Sequence, residues 1–223
     1  MEKNCIILNL KVYDESVGAR ARELCKAADK VYGETGAPLV VCPPLASAML
    51  AQELEVPVFA QHVDMVEPGQ HTGFLTMESL KAVGVRGSVL NHAERRVDGK
   101  HIDWAIARAK QVGFELCVCT QTIPQVNHIA PQGPEAVAVE APDLIGSGIS
   151  VSTVRPDITR EWMGAVKKAN PKCLAVVGAG VSNPADYENA LKLGGEGVIL
   201  ASAFVKAKDP AAWLTGMAKV VTK

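Results

Sequence analysis

A closed, single-domain (β/α)8 barrel is the fold this sequence predicts, and three observations predict it. Eight short runs rich in Val, Ile, Leu, Ala and Cys recur along the chain. They are continuous rather than alternating, as strands buried on both faces of a parallel sheet must be. Segments with helical spacing of apolar residues lie between them. Finally, 223 residues is a length at which an α/β barrel is complete around one core. Eight alternations in so short a chain favour closure over an open doubly wound sheet, and one domain, 1–223, is expected.

The strands are expected at residues 5–10, 38–42, 56–61, 87–91, 114–119, 135–140, 173–178 and 197–200. One helical stripe runs through Val17, Ala21, Leu24, Ala28 and Val31. A second takes Ile158, Trp162, Val166 and Ala169, and a third Leu214, Met217 and Val221. Asn183-Pro184 and Asp209-Pro210 each place a capping side chain before a proline at the first helical position, where the missing N–H costs nothing. The Pro- and Gly-rich stretches 67–73 and 131–134 are short enough to be loops within the barrel. No repeat, linker or low-complexity tract interrupts the pattern.

Composition narrows the function classes. The formal net charge is -1, and the 21% charged residues are spread along the chain, which argues against a nucleic-acid or membrane-surface role. No apolar run approaches the roughly 18–20 residues that span a bilayer. Six cysteines, at 5, 25, 42, 117, 119 and 173, form no C-x-x-C pair, and no secretory leader precedes the first apolar run. They read as reduced core thiols of a cytoplasmic protein. Cys117 and Cys119 share one face of the fifth strand, a spacing more often core than metal site.

Barrels of this kind carry their chemistry at the C-terminal ends of the strands. The first strand ends Asn9-Leu10-Lys11, the fourth Asn91-His92-Ala93-Glu94, and the sixth on Glu140. A cation, an imidazole and a carboxylate therefore converge on one mouth, where each alone would pass for a solvated strand end or a loop residue. Glu140 leads into residues 141–148, closed by Gly146 and Gly148, a segment suited to a movable lid. The seventh strand runs into Gly178-Ala179-Gly180 and the eighth into Leu200-Ala201-Ser202-Ala203. Small residues there let backbone N–H groups approach an anion, and the loops after strands seven and eight are where this fold holds phosphate. A phosphorylated small molecule is the expected ligand.

With Asn-x-Lys, Asn-His-Ala-Glu-Arg-Arg, Ala-Val-Glu-Ala-Pro-Asp-Leu-Ile-Gly-Ser-Gly and the two small-residue loops in this order, the chain resembles the triosephosphate isomerase family, in particular its compact archaeal branch. The likeness covers essentially the whole chain, including Cys42-Pro43-Pro44 and His71-Thr72-Gly73. The resemblance implies a cofactor-free, metal-free TIM-barrel enzyme of glycolysis and gluconeogenesis, interconverting dihydroxyacetone phosphate and glyceraldehyde 3-phosphate through an enediolate. Glu140 would be the base, and His92 a neutral imidazole polarising the carbonyl. Lys11 would neutralise the phosphate and the enediolate charge, with Asn9 placing it and Glu94 orienting it. The lid would close with the Gly146 N–H on the phosphate, and Gly178, Ala179, Gly180, Ala201 and Ser202 would form the cradle. The resemblance also implies a homo-oligomer, dimer or tetramer, in which Thr72 supports Asn9 and Lys11 of a neighbour.

Four positions depart from the family. Ala93 stands where Ser is usual, which removes a hydroxyl that holds the base at rest. Ala141 replaces Pro at the first hinge of the lid, Ser147 replaces Thr, and Ala203 replaces Gly beside the cradle. Two other readings compete. Another phosphate-binding barrel, such as a metal-dependent epimerase, should show several His and Asp at strand ends, whereas here only His92 and His62 stand there without matching carboxylates. An isomerase retired to a binding protein should have lost Lys11, His92 or Glu140, and all three are present.

Overall fold

The computed structural model describes residues 1–140, 155–178 and 180–222. Among these, eight parallel strands form one sheet: β1 (Cys5–Asn9), β2 (Leu39–Cys42), β3 (Phe59–Ala60), β4 (Gly87–Leu90), β5 (Glu115–Thr120), β6 (Ala136–Val139), β7 (Leu174–Val177) and β8 (Gly197–Leu200). Their order is β2-β1-β8-β7-β6-β5-β4-β3. A parallel bridge between Val41 and Val58 joins the two ends, so the sheet closes into the expected (β/α)8 barrel.

Strand alternation explains the continuous apolar runs. Cys5 and Ile7 point into the ring with Cys42, Cys117, Cys119 and Ala138. Ile6 and Leu8 point outward with Val41, Val118 and Val137, against the helices. Both faces are dry, so a polar strand residue such as Ser88 is held by hydrogen bonds, its Oγ donating to Val89 O at 2.7 Å. All six cysteines are buried and unpaired. Burial pushes the Cys5, Cys25 and Cys173 thiols up to about 12, which makes them inert.

The third strand is shorter than expected over 56–61, with ladder pairing confined to Phe59–Ala60. Pro57 has no N–H to give the ladder. Its carbonyl still accepts the Val41 N–H at 3.0 Å, so the barrel closes at that point by a bridge rather than a full strand.

Helices α1 (Ala19–Thr35), α2 (Met77–Ala82), α3 (Gly99–Val112), α4 (Ile123–Ile129), α5 (Pro156–Ala169), α6 (Pro184–Lys192), α7 (Ser202–Val205) and α8 (Pro210–Ala218) surround the ring. After β2 the connection is a 3-10 segment, Leu45–Gln52. The first stripe holds from Ala21 to Val31 but not at Val17, which is exposed because Gly18, at φ +58, turns the chain before α1 begins. On α5 the buried face is Thr159, Met163 and Val166, one residue round from the expected stripe, and Ile158 is exposed. The Thr159 hydroxyl donates to Arg155 O at 3.0 Å, which lets a threonine sit on that face. The capped starts are as expected: Asn183 accepts the Asp186 N–H (3.0 Å) and Asp209 the Ala212 N–H (2.9 Å). Among the described residues no helix is long and apolar enough to cross a membrane.

Candidate active site

The chemistry gathers at the C-terminal mouth of the barrel. Asn9, the last residue of β1, is buried, and its Oδ1 accepts the Lys11 N–H at 3.1 Å. That bond supports an unfavourable backbone: Lys11 has φ +50, a left-handed conformation that costs a non-glycine residue of order 1 kcal/mol. Gln61 pins the same turn from just past β3, two strands away, its Nε2 donating to Lys11 O (3.1 Å) and Cys42 O (3.0 Å). The side chain so aimed meets Glu94, with Nζ 2.7 Å from Oε1.

A second left-handed residue, Asn91 at φ +60, follows β4. Its Nδ2 donates to Cys119 O (2.9 Å) and its Oδ1 accepts the Val97 N–H (3.1 Å), so the turn carrying His92 is stapled on both sides. The Glu94 N–H donates to His92 Nδ1 at 3.2 Å. With that lone pair occupied, the proton of a neutral imidazole belongs on Nε2, which lies 3.2 Å from Glu140 Oε1. Burial and the nearby Lys11 charge lower the His92 pKa against the opposing pull of Glu94, which keeps the ring neutral.

Glu140 is the first residue beyond β6, and its N–H still follows the ladder to Thr120 O at 2.8 Å. Its side chain is 1% exposed. Oε2 accepts the Ala93 N–H (3.1 Å) and Gln121 Nε2 (3.4 Å). Burial pushes the carboxyl up to about 7, against the opposing pull of the Ala93, Cys119 and Gln121 hydrogen bonds and the Lys11 charge. A carboxylate poised there is a competent base at neutral pH.

The same displacement makes a stability prediction. The folded pKa of about 7 lies above the ordinary value of 4.5, so this group's favourable contribution is complete below about pH 4.5 and is lost as pH rises through 7. Glu140→Gln therefore stabilises the fold at about pH 8.5 by up to about 3 kcal/mol, at about 1.36 kcal/mol per tenfold change, and the gain vanishes at acid pH. Thermal melts of both proteins across the pH range check this. A variant less stable than wild type at pH 8.5 contradicts it.

On the far side, Gly178 donates its N–H to Val139 O at 2.9 Å. A Cβ there would lie 2.9 Å from Glu140 Cγ, so the glycine makes room for the Glu140 side chain. Gly180 has φ +69. Ala201 O takes the Phe204 and Val205 N–H groups, both at 3.1 Å, so the Ser202 and Ala203 amides lead the short α7 turn.

Asn9, Lys11, His92, Glu140, Gly178, Gly180, Ala201 and Ser202 all line one open cavity of about 560 Å³, so eight of the expected positions meet. Glu94 is half-exposed and meets that cavity through Lys11 and His92, which line it. Gly146, Ala179, Ala141, Ser147 and the lid 141–148 lie outside the described residues. Ala93 has no hydroxyl, yet its backbone N–H holds the Glu140 carboxylate. His62 does have a carboxylate beside it, with Nε2 3.2 Å from Asp64 Oδ1. Two positions escaped the sequence reading. Tyr13 lines the cavity, and Gln121 touches the base from just past β5, where a polar residue beyond a strand end was the available signal.

A family model for triosephosphate isomerase matches residues 4–221. The chain is 40% identical over 205 residues to a triosephosphate isomerase of Methanocaldococcus jannaschii, covering 92% of this chain and 94% of that protein. It is 42% identical over 211 residues to one of Methanobrevibacter smithii (94% and 95% covered) and 41% identical over 218 residues to one of Pyrobaculum islandicum (97% and 95% covered). Matched from end to end by the family model and by archaeal relatives alike, and folded as the barrel its motifs require, the chain belongs to the triosephosphate isomerase family.

Proposed function

We propose that Glu140, His92 and Lys11 carry the interconversion of dihydroxyacetone phosphate and D-glyceraldehyde 3-phosphate. The observation that supports it is the 3.2 Å approach of His92 Nε2 to Glu140 Oε1, between a base pushed up to about 7 and an imidazole held neutral. Glu140 takes a proton from C1 of the ketose, the C–H electron pair becomes the C1=C2 bond, and negative charge moves to the C2 oxygen. His92 donates from Nε2 to that oxygen and relays a proton between the two oxygens. Glu140 then returns its proton to C2. No redox partner is needed, because the two carbons exchange oxidation level internally.

Lys11 supplies positive charge for the enediolate and the phosphate, with Asn9 fixing its turn and Glu94 its ammonium. Backbone N–H groups of Gly180, Ala201 and Ser202 form the phosphate cradle, and Gly178 lines it with its own N–H held by Val139 O. Exclusion of water protects the enediolate from losing its phosphate. Turnover of glyceraldehyde 3-phosphate in a coupled assay, with inhibition by 2-phosphoglycolate, tests this reading. Binding of the mimic without any turnover would leave only a phosphate-binding barrel.

The assembly is a homo-oligomer, dimer or tetramer, of a cytoplasmic enzyme whose thiols stay reduced. Its support is a set of exposed apolar side chains on the loops after β1, β2 and β3: Val12 (73% exposed), Met49 (56%), Phe74 (54%), Leu45 and Met65. Apolar surface of that kind marks an interface. The exposed loop around Thr72 lies within this set, where it can reach a second copy. Phe74→Asp is expected to shift the sedimenting mass toward the 23.6 kDa monomer and to lower activity with it. A wild type that sediments as a monomer contradicts the assembly.

A further inference from the structure

The surroundings of the base implicate one more residue, on the reading that Glu140 is the proton acceptor. At rest its Oε1 lies 3.2 Å from His92 Nε2, so the carboxylate fills the space where substrate carbons must lie between base and imidazole. Glu140 must move before it can work. Whatever holds the carboxylate therefore governs the step, and beside the Cys119 thiol the side chain that does so is Gln121, with Nε2 3.4 Å from Oε2, next to the Ala93 N–H at 3.1 Å.

Gln121 is 8% exposed and sits at the first position beyond β5, anchored by its own N–H on Gln125 Oε1 at 2.8 Å. Among the described residues its buried Oε1 has no hydrogen-bond partner. An apolar side chain would fill this place without burying an unpaired oxygen, so packing alone does not account for a carboxamide here. The orientation follows from charge: the amide turned over would set its carbonyl oxygen against the carboxylate.

We propose that Gln121 is a positioning residue, clamping the ionised Glu140 in its resting place with the Ala93 N–H and releasing it when substrate enters. The clamp acts on the free enzyme and has no hold in the substrate complex, where the carboxylate has left it. Its loss moves the acid limb of kcat/KM, which reports the free enzyme, and leaves the limb of kcat in place. Among the described residues the other groups that face Glu140 are the Lys11 ammonium, the His92 imidazole and the Cys119 thiol, with Cys117 behind it. None of these changes in a Gln121 variant.

The test compares pH profiles of kcat and kcat/KM for the wild type, Gln121→Leu and the isosteric Gln121→Glu, in the full chain. For Gln121→Leu, kcat/KM should fall roughly threefold to tenfold near pH 6 and less than about twofold near pH 8.5, a displacement of up to about one pH unit. Ionisation of the substrate phosphate is common to all three proteins. Gln121→Glu, which sets a second carboxyl against the base, should move the limb further in the same direction. A uniform loss at every pH, or profiles unmoved in both variants, overturns the clamp and leaves the base standing. Full activity in Glu140→Asp would instead remove the base, and this inference with it.

Discussion

Glu140→Asp should lower kcat/KM by on the order of 10²-fold or more, with KM nearly unchanged, because withdrawing the carboxylate by one methylene misplaces it by about 1 Å. The fold should survive. Aspartate keeps the charge and hydrogen-bonding chemistry of the site, and the space beside Gly178, where a Cβ would lie 2.9 Å from Glu140 Cγ, is relieved rather than crowded. A coupled assay beside a thermal melt separates the two effects. Equal turnover in a well-folded variant contradicts the assignment of the base. The pH profile adds a second check: the wild-type kcat/KM should fall below about pH 7 as the buried carboxyl takes up a proton.

Lys11→Met should cost about 10²- to 10³-fold in kcat/KM, the loss typical when one electrostatic stabiliser of a developing oxyanion is removed. Methionine keeps the length of the stem without the charge. Two side effects follow with definite sign. The Lys11 ammonium lowers the His92 pKa and also lowers that of Glu140, so both groups should rise in the variant and the acid limb should move up. Stability should change little, because Glu94 is 54% exposed and a solvated ion pair contributes about 0–1 kcal/mol. Glu94→Gln should accordingly leave most of the activity. If Lys11→Met and Glu94→Gln are equally impaired, the charge on Lys11 is not what the reaction uses.

How much of this was legible beforehand differs between fold and site. The barrel was readable because each strand is apolar on both faces, a property of local sequence, and Cys5–Asn9 alternates inward and outward as a continuous run predicts. The misses were local conflicts. Pro57 shortened β3, Gly18 cut Val17 off from α1, and a satisfied Thr159 hydroxyl turned α5 by one residue. At the site, residue types at strand ends announced Lys11, His92 and Glu140. Their relations were not legible. The tautomer of His92 depends on the Glu94 N–H, the hold on the base on the Ala93 N–H, and the pKa of Glu140 on burial among distant strands. Backbone groups carry no signature in sequence, and Gln121 was one polar residue beyond a strand end that no charged partner marked.

Exchange with solvent deuterium tests most directly whether one carboxylate on one face moves the proton. Dihydroxyacetone phosphate incubated in D2O with the wild type should exchange a single C1 hydrogen, followed by proton NMR, because Glu140 reaches only one face of the substrate. Glu140→Gln, which stays folded, should exchange neither hydrogen above the rate in buffer. Exchange by Glu140→Gln at the wild-type rate, or loss of both C1 hydrogens equally in the wild type, would contradict it.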